Sequence, residues 1–371
     1  MPRAIVALLL SLATVPLSAA PSAFRIVAYH EVDKEPRSGW GMRTEMFADQ
    51  MELLAATESN VVPLAEVSDY LAGRIDALPP RAVVITVDDG FECAYTEIAP
   101  VLRRMGDPFT LFVYPAIVGS GEHSLTWAQI GELQRDGVDV ESHTMTHPHL
   151  MRRSHPEMTD AAYAAWLHDQ LAGARAGLEA HTGQPVRFLA YPYGDYDAAV
   201  EKEASSDGYV LGLTSESGTN VHSTDPLALH RFAPDAATTL DQFRAAVGLG
   251  ALVLADVSPA NGGVAAGTFT ATIADRQRFD PASVHVLLLG DPKTRGTYDA
   301  QSGRVSLTLP PRPKPRERVV VWADDAATGQ RFVAVETLYA SPVDRDHYLA
   351  LRDELAALPL HHAAAVASPQ R

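Results

Sequence analysis

Val83 to Val87 is an uninterrupted run of β-branched residues, Val-Val-Ile-Thr-Val, that stops at Asp88-Asp89-Gly90. Such a run reads as a buried strand, and Gly90 supplies the turn that ends it. The two aspartates then stand at a strand's C-terminal end, where α/β folds keep their chemistry. About fifty residues on, a second short apolar run, Val138-Asp139-Val140, leads into His143-Thr144-Met145-Thr146-His147-Pro148. Both elements are expected to open onto the same face of one sheet or barrel. Paired aspartates after a strand are often only a helix cap, and a lone His-x-x-x-His arises by chance. In this order, each after a strand-like run, they predict a metal site, because two imidazoles and a carboxylate are a common ligand set for a catalytic zinc with a position open to water.

Strand-like and helix-like stretches alternate from the N-terminal region to about residue 250. The expected strands are Arg25 to Ala28, Val83 to Val87, Phe109 to Val113, Val138 to Val140, Phe188 to Ala190 and Tyr209 to Leu213. Between them, helical spacing occurs at Phe47, Met51 and Leu54; at Ile98, Leu102 and Met105; at Trp127, Ile130 and Leu133; and at Leu167, Leu171, Ala174 and Leu178. Repeated β-then-α units imply parallel strands with crossover helices. The pattern fits a barrel and a doubly wound sheet equally well.

The paired motifs resemble those of the polysaccharide deacetylases with a NodB-homology domain, the family four carbohydrate esterases, over about residues 25 to 245. The resemblance implies a distorted, incomplete (β/α) barrel. It also implies roles: Asp88 as general base, and Asp89, His143 and His147 as ligands of a divalent metal, zinc first, with cobalt or nickel as alternatives. Tyr29-His30-Glu31-Val32, the helix carrying Phe47 to Leu54, and Leu78-Pro79 before the aspartate strand are similar to one branch, the poly-β-1,6-N-acetylglucosamine N-deacetylases. In that branch the early histidine is the general acid, which points to His30. His230, in Leu227-Ala228-Leu229-His230-Arg231-Phe232, is the competing candidate. Ala190-Tyr191-Pro192-Tyr193-Gly194 stands where many members have an arginine-containing motif. By the resemblance Tyr193 helps to hold the oxyanion through its backbone N–H, and Arg231 is the candidate to orient the base in place of the missing arginine. The family's tryptophan-containing motif has no clear counterpart after Gly208-Tyr209-Val210.

These residue types suit amide hydrolysis. A zinc ion lowers the pKa of its water toward about 7 and polarises a carbonyl. A carboxylate accepts the water's proton, and a histidine, with a reference pKa near 6.5, protonates the departing amine.

A chain of 371 residues predicts one large domain and a smaller one. The net charge of -16 argues against nucleic acid and anionic bilayers as partners and favours a neutral or cationic glycan. Residues 1–20 read as an export signal, with Arg3, an apolar core from Ala4 to Val15 and small residues at Ser18-Ala19-Ala20. That core is too short to span a bilayer comfortably, so no transmembrane segment is expected after its removal, and the location is periplasmic or extracellular. Cys93 is the only cysteine; it excludes an intrachain disulfide and reads as a small buried residue.

The deacetylase-like domain is expected over 21–250. After it, Thr268 to Ile273, Ser283 to Leu289, Arg304 to Leu309, Arg318 to Trp322 and Arg331 to Leu338 alternate as short strands without helices, predicting a small β-sandwich over 258–342. Residues 343–371 are expected to form a helix and a frayed tail. Two other functions fit the pattern: deacylation of peptidoglycan or of an O-acetylated polysaccharide by the same chemistry, and non-catalytic glycan binding. The oligomeric state has no signature in the sequence.

Overall fold

The computed structural model describes residues 22–339, apart from 249, 260–264, 289–290, 312 and 314–315. The expected export signal and C-terminal helix lie outside the described residues. The N-terminal part runs β1 (Phe24–Tyr29), β2 (Val32–Asp33), β3 (Met42–Arg43), α1 (Thr44–Ala56), β4 (Asn60–Val61), α2 (Leu64–Leu71), β5 (Ala82–Val87), α3 (Ala99–Met105), β6 (Thr110–Val113), α4 (Trp127–Arg135) and β7 (Asp139–Ser142). It continues through α5 (Asp160–His168), α6 (Ala174–Thr182), β8 (Phe188–Ala190), α7 (Ala198–Ser206), β9 (Leu211–Leu213) and α8 (Leu240–Val247).

One sheet organises this part, in the order β1-β5-β6-β7-β8-β9, with β4 beside the start of β5. All its pairs are parallel. The segment around Leu229 to Phe232 spans the gap between β9 and β1 through single bridges, Leu213 to Leu229 and Val27 to Phe232. The strands therefore curl into a distorted, incomplete (β/α) barrel rather than the doubly wound sheet that the pattern also allowed.

Alternation along each strand divides the core in two. Val83, Ile85 and Val87 face the outer helices with Val27, Leu111, Val140 and Leu189. Ala82 and Val84 face the barrel interior with Ile26, Phe112, Phe188 and Leu211. The same period of two puts Thr86 and then Asp88 on the interior side, at the rim. Helix α1 buries Phe47, Met51 and Leu54 at the expected spacing. Each such side chain contributes about 1.5–3 kcal/mol on burial.

The remaining described strands are β10 (Gly250–Ala251), β11 (Leu254–Ser258), β12 (Thr268–Ile273), β13 (His285–Leu288), β14 (Asp291–Arg295), β15 (Thr297–Asp299), β16 (Arg304–Thr308), β17 (Arg316–Asp324) and β18 (Arg331–Tyr339). They form two sheets, β10-β18-β17-β13-β14 and β11-β12-β16-β15, which share a core that includes Phe269, Ile273, Val305, Val286, Val319 and Val321. Single turns of 3₁₀ helix at Arg276–Arg278 and Pro281–Ser283 interrupt the alternation that the sequence presents as free of helices. Trp322 stacks on His285, with ring centroids 4.9 Å apart. Among the described residues, no helix is long and apolar enough to cross a membrane.

Candidate active site

Parallel register gathers the candidate residues at one rim. Tyr29 pairs with Val87, so His30 and Asp88 follow side by side, and the Asp88 amide donates to the Tyr29 carbonyl at 2.8 Å. His30 Nε2 lies 3.9 Å from Asp88 Oδ2. Val113 pairs with Ser142, which brings His143 onto the same rim. Gly90 is required next to the aspartates: its φ is +98°, and a Cβ there would meet Val113 Cγ1 at 3.0 Å.

Asp89 Oδ1 stands 3.5 Å from His143 Nε2 and 3.4 Å from His147 Nε2. With metal–ligand bonds of about 2.0–2.1 Å, the ligand atoms of a tetrahedral site are about 3.4 Å apart. His143 Nδ1 is 2.8 Å from the Ala190 carbonyl. That carbonyl only accepts, so Nδ1 carries the proton and the Nε2 lone pair faces Asp89. Donor types, spacing and tautomer all fit a divalent cation. A second group, His168 with Glu203 and Asp207, has direct contacts of 3.2 and 2.7 Å, the distances of hydrogen-bonded ion pairs.

Four of the seven described non-glycine residues with positive φ belong to this rim: Asp89, Thr144, His147 and Tyr193. Left-handed backbone costs these residues free energy, and such strain collects where a site dictates the conformation. The His147 amide donates to Thr144 Oγ1 at 3.1 Å, closing the loop between the two histidines.

Asp88 is almost wholly buried and sits in a two-point ion pair: Arg231 Nη1 donates to Oδ1 at 2.8 Å and Nη2 to Oδ2 at 2.7 Å. The same guanidinium donates from Nε to the Thr214 carbonyl at 2.8 Å and from Nη1 to Thr86 Oγ1 at 3.3 Å, and lies over the Phe112 ring. Burial alone would raise the Asp88 carboxyl, but the Arg231 charge outweighs it and holds the group well below the usual carboxylate range.

Burial likewise opposes charge on Asp89 and His143, yet their mutual contact prevails, lowering the carboxyl and raising the imidazole. Burial, followed by the His143 imidazole, pushes His147 down to about 4. Burial also lowers His30 against the pull of Asp88 and Asp89.

His230 and Arg231 are adjacent in an extended segment, so their side chains diverge. Arg231 turns to Asp88, while the His230 ring packs against Gly218, where an added Cβ would lie 2.7 Å from it. Burial, with Arg25 as second cause, pushes His230 down to about 4. Tyr193 is exposed; its ring centroid is 4.7 Å from that of His147 and 4.1 Å from that of His149. Gly194, at φ +68°, lets this turn approach Ser215, whose amide nitrogen a Cβ would meet at 2.8 Å.

Several supporting residues carry no motif signal. Glu31, buried beside His30, accepts from the Arg37 amide and Nε and from the Ser38 amide, at 2.9–3.1 Å. These bonds fix the loop that carries Trp40, which is 63% exposed, with its ring 6.1 Å from that of His30. Cys93 Sγ accepts from the Val32 amide at 3.4 Å, and burial pushes its thiol up to about 11, so it anchors the chain after His30 and is no nucleophile at neutral pH.

Comparison with known proteins agrees with this geometry. Residues 76–212 match the family model for polysaccharide deacetylase. YxkH of Bacillus subtilis is 30% identical over 151 residues, 41% of this chain and 50% of that protein. The poly-β-1,6-N-acetyl-D-glucosamine N-deacetylase of Escherichia coli K12 is 23% identical over 239 residues, 53% of this chain and 34% of that protein. The chain thus spans half or less of the length of these two curated relatives. Among solved structures, IcaB from Ammonifex degensii is 27% identical with a TM-score of 0.54, covering 61% of this chain and 97% of that one. The fold, the rim motifs and the family match agree that residues 76–212 carry a domain similar to the polysaccharide deacetylases.

Proposed function

We propose that this protein is a metal-dependent hydrolase that removes N-acetyl groups from an amino-sugar polysaccharide resembling poly-N-acetylglucosamine. The observation that carries the reading is the rim itself: an ionised, immobilised Asp88 next to the Asp89, His143 and His147 set. The named activity of the Escherichia coli relative supports the choice of substrate class. Trp40 and Tyr193, 63% and 59% exposed, flank His30 and His147 and offer ring faces to sugars.

Asp89, His143 and His147 would hold the cation, with zinc as first choice. When bound, it supplies a Lewis acid for the acetyl carbonyl and acidifies a water. Asp88, kept ionised by Arg231, takes the water's proton. His30, beside Asp88 and partly open to solvent, gives a proton to the departing amine. The backbone N–H of Tyr193 contributes to holding the oxyanion, as in the family. Residues 1–20 support export, and the reaction would then take place in the periplasm or outside the cell.

The test is acetate release by the metal-reconstituted protein from a panel of partially acetylated glycans. Release from β-1,6-linked N-acetylglucosamine oligomers above all others supports the reading. Preference for peptidoglycan or for O-acetylated polysaccharide would move the substrate within the family, and no release from any member would leave glycan binding without catalysis.

A further inference from the structure

We infer that Gln170, a residue of the outer helical layer, is a positioning residue that fixes the loop between His143 and His147 and thereby sets affinity for the divalent cation; the inference rests on the metal site proposed above. Helices α5 and α6 form one rod joined by a π-helical turn, Asp169–Gly173. In a regular α-helix the Gln170 carbonyl would accept the amide of residue 174. Here the Ala174 amide goes to the Leu171 carbonyl instead. The Gln170 carbonyl accepts the Met145 amide, from the ligand loop, at 2.9 Å.

The side chain adds to this. Gln170 Oε1 accepts from both the Thr146 amide and the Thr146 hydroxyl, each at 3.1 Å. An amide N–H only donates, so the orientation of the Gln170 carboxamide is fixed by chemistry. One buried residue therefore receives three donors from Met145 and Thr146, the middle of the ligand loop. The residues on either side, Thr144 and His147, have φ of +67° and +58°. A loop with two left-handed residues does not hold that shape without external bonds.

The π turn also serves the other end of the loop. Tyr209 donates its hydroxyl hydrogen to the Leu171 carbonyl at 2.9 Å and meets Ser142 Oγ at 2.8 Å. Ser142 Oγ in turn accepts the Thr144 amide at 3.3 Å. Gly173 packs against the same loop, with a Cβ there lying 3.3 Å from Met145 Cε, a contact that a small shift of the methionine end would relieve. Partners of this kind, one step beyond the ligands, typically change metal affinity by about 10–100-fold when removed.

The test is zinc affinity, measured by competition with a chromogenic chelator, for the wild-type chain, Gln170→Met and Gln170→Glu, alongside thermal unfolding of the metal-free proteins. Methionine keeps the length and removes the acceptor; glutamate keeps the acceptor. The expected result is a loss of about 10–100-fold in zinc affinity for Gln170→Met, with Gln170→Glu within about threefold of wild type and both metal-free proteins unfolding within a few degrees of each other. Wild-type affinity in Gln170→Met, or equal loss in both variants, overturns the inference and leaves the metal site standing. A wild-type chain that binds no zinc overturns both. Should Gln170→Met not fold, Thr146→Val removes one of the three donors; a several-fold loss of affinity supports the inference and no loss overturns it.

Discussion

Arg231 reaches across 143 positions of sequence to grip both carboxylate oxygens of Asp88 inside the barrel rim. Neither side chain is more than 1% exposed. A buried pair of this kind is a weak source of net stability, because desolvation offsets most of the attraction, but removing one partner strands a buried charge. Arg231→Met is therefore expected to cost roughly 3–5 kcal/mol in chemical denaturation. Arg231→Lys keeps the charge and loses the two-point fork. It should fold and turn over slowly, and wild-type turnover in that variant would show that Asp88 needs no such clamp.

Asp88→Asn keeps the shape of the side chain and much of its hydrogen bonding to Arg231 while removing its capacity to take a proton. The protein should fold, bind one zinc per chain and lose at least about two orders of magnitude in turnover. Near-normal acetate release would remove Asp88 from the role of base.

The two histidine candidates for the acid separate cleanly in the structure. A general acid must be protonated when the amine leaves, so its loss should lower the rate and remove the high-pH limb of the pH–rate profile. His30→Ala is expected to do both with metal retained, because His30 stands beside Asp88 at the rim. His230→Ala should be mild, since its ring faces Gly218 and Arg25, away from Asp88. The reverse ranking would reassign the acid and weaken the link to the poly-N-acetylglucosamine branch.

His230 has a separate consequence for stability. Its folded pKa, pushed down to about 4, lies below the ordinary histidine value of 6.5, so the unfolded chain binds its proton first as pH falls. Folding stability is then greatest above pH 6.5 and declines toward pH 4, by roughly 3 kcal/mol from this residue alone. His230→Asn should flatten the fall of melting temperature between pH 7 and pH 4.5. Parallel curves for the two proteins would mean that His230 is not the group that titrates.

Local signals were readable before the fold was known. The unbroken β-branched run Val83 to Val87 and the helical spacing of Phe47, Met51 and Leu54 each lie within one element, and both became the elements they indicated. The two-residue strands β2, β3 and β4 have no period to read; they exist because a partner strand lies alongside. Helix α8 is only eight residues long and buries only Phe243, too short a stretch to stand out as a helix on its own. At the site, Asp88, Asp89, His143 and His147 stand in two short motifs, whereas the grip of Arg231 depends on how the segment between β9 and β1 closes the barrel. Sequence offers His230 and Arg231 side by side, and only that closure decides which of them faces Asp88. Gln170 and Ala190 act through contacts 24 and 47 positions away in which a backbone group takes part, and Glu31 through amides of its own loop; such contacts leave no trace in composition or spacing.

The most direct test of the whole account is acetate release from β-1,6-linked N-acetylglucosamine oligomers as zinc is returned to chelator-treated protein. The account predicts no release from the metal-free chain, a rise that saturates at one zinc per chain, and neither tight zinc binding nor activity in His143→Ala. Full activity in protein shown to contain no metal, or in His143→Ala, would contradict it.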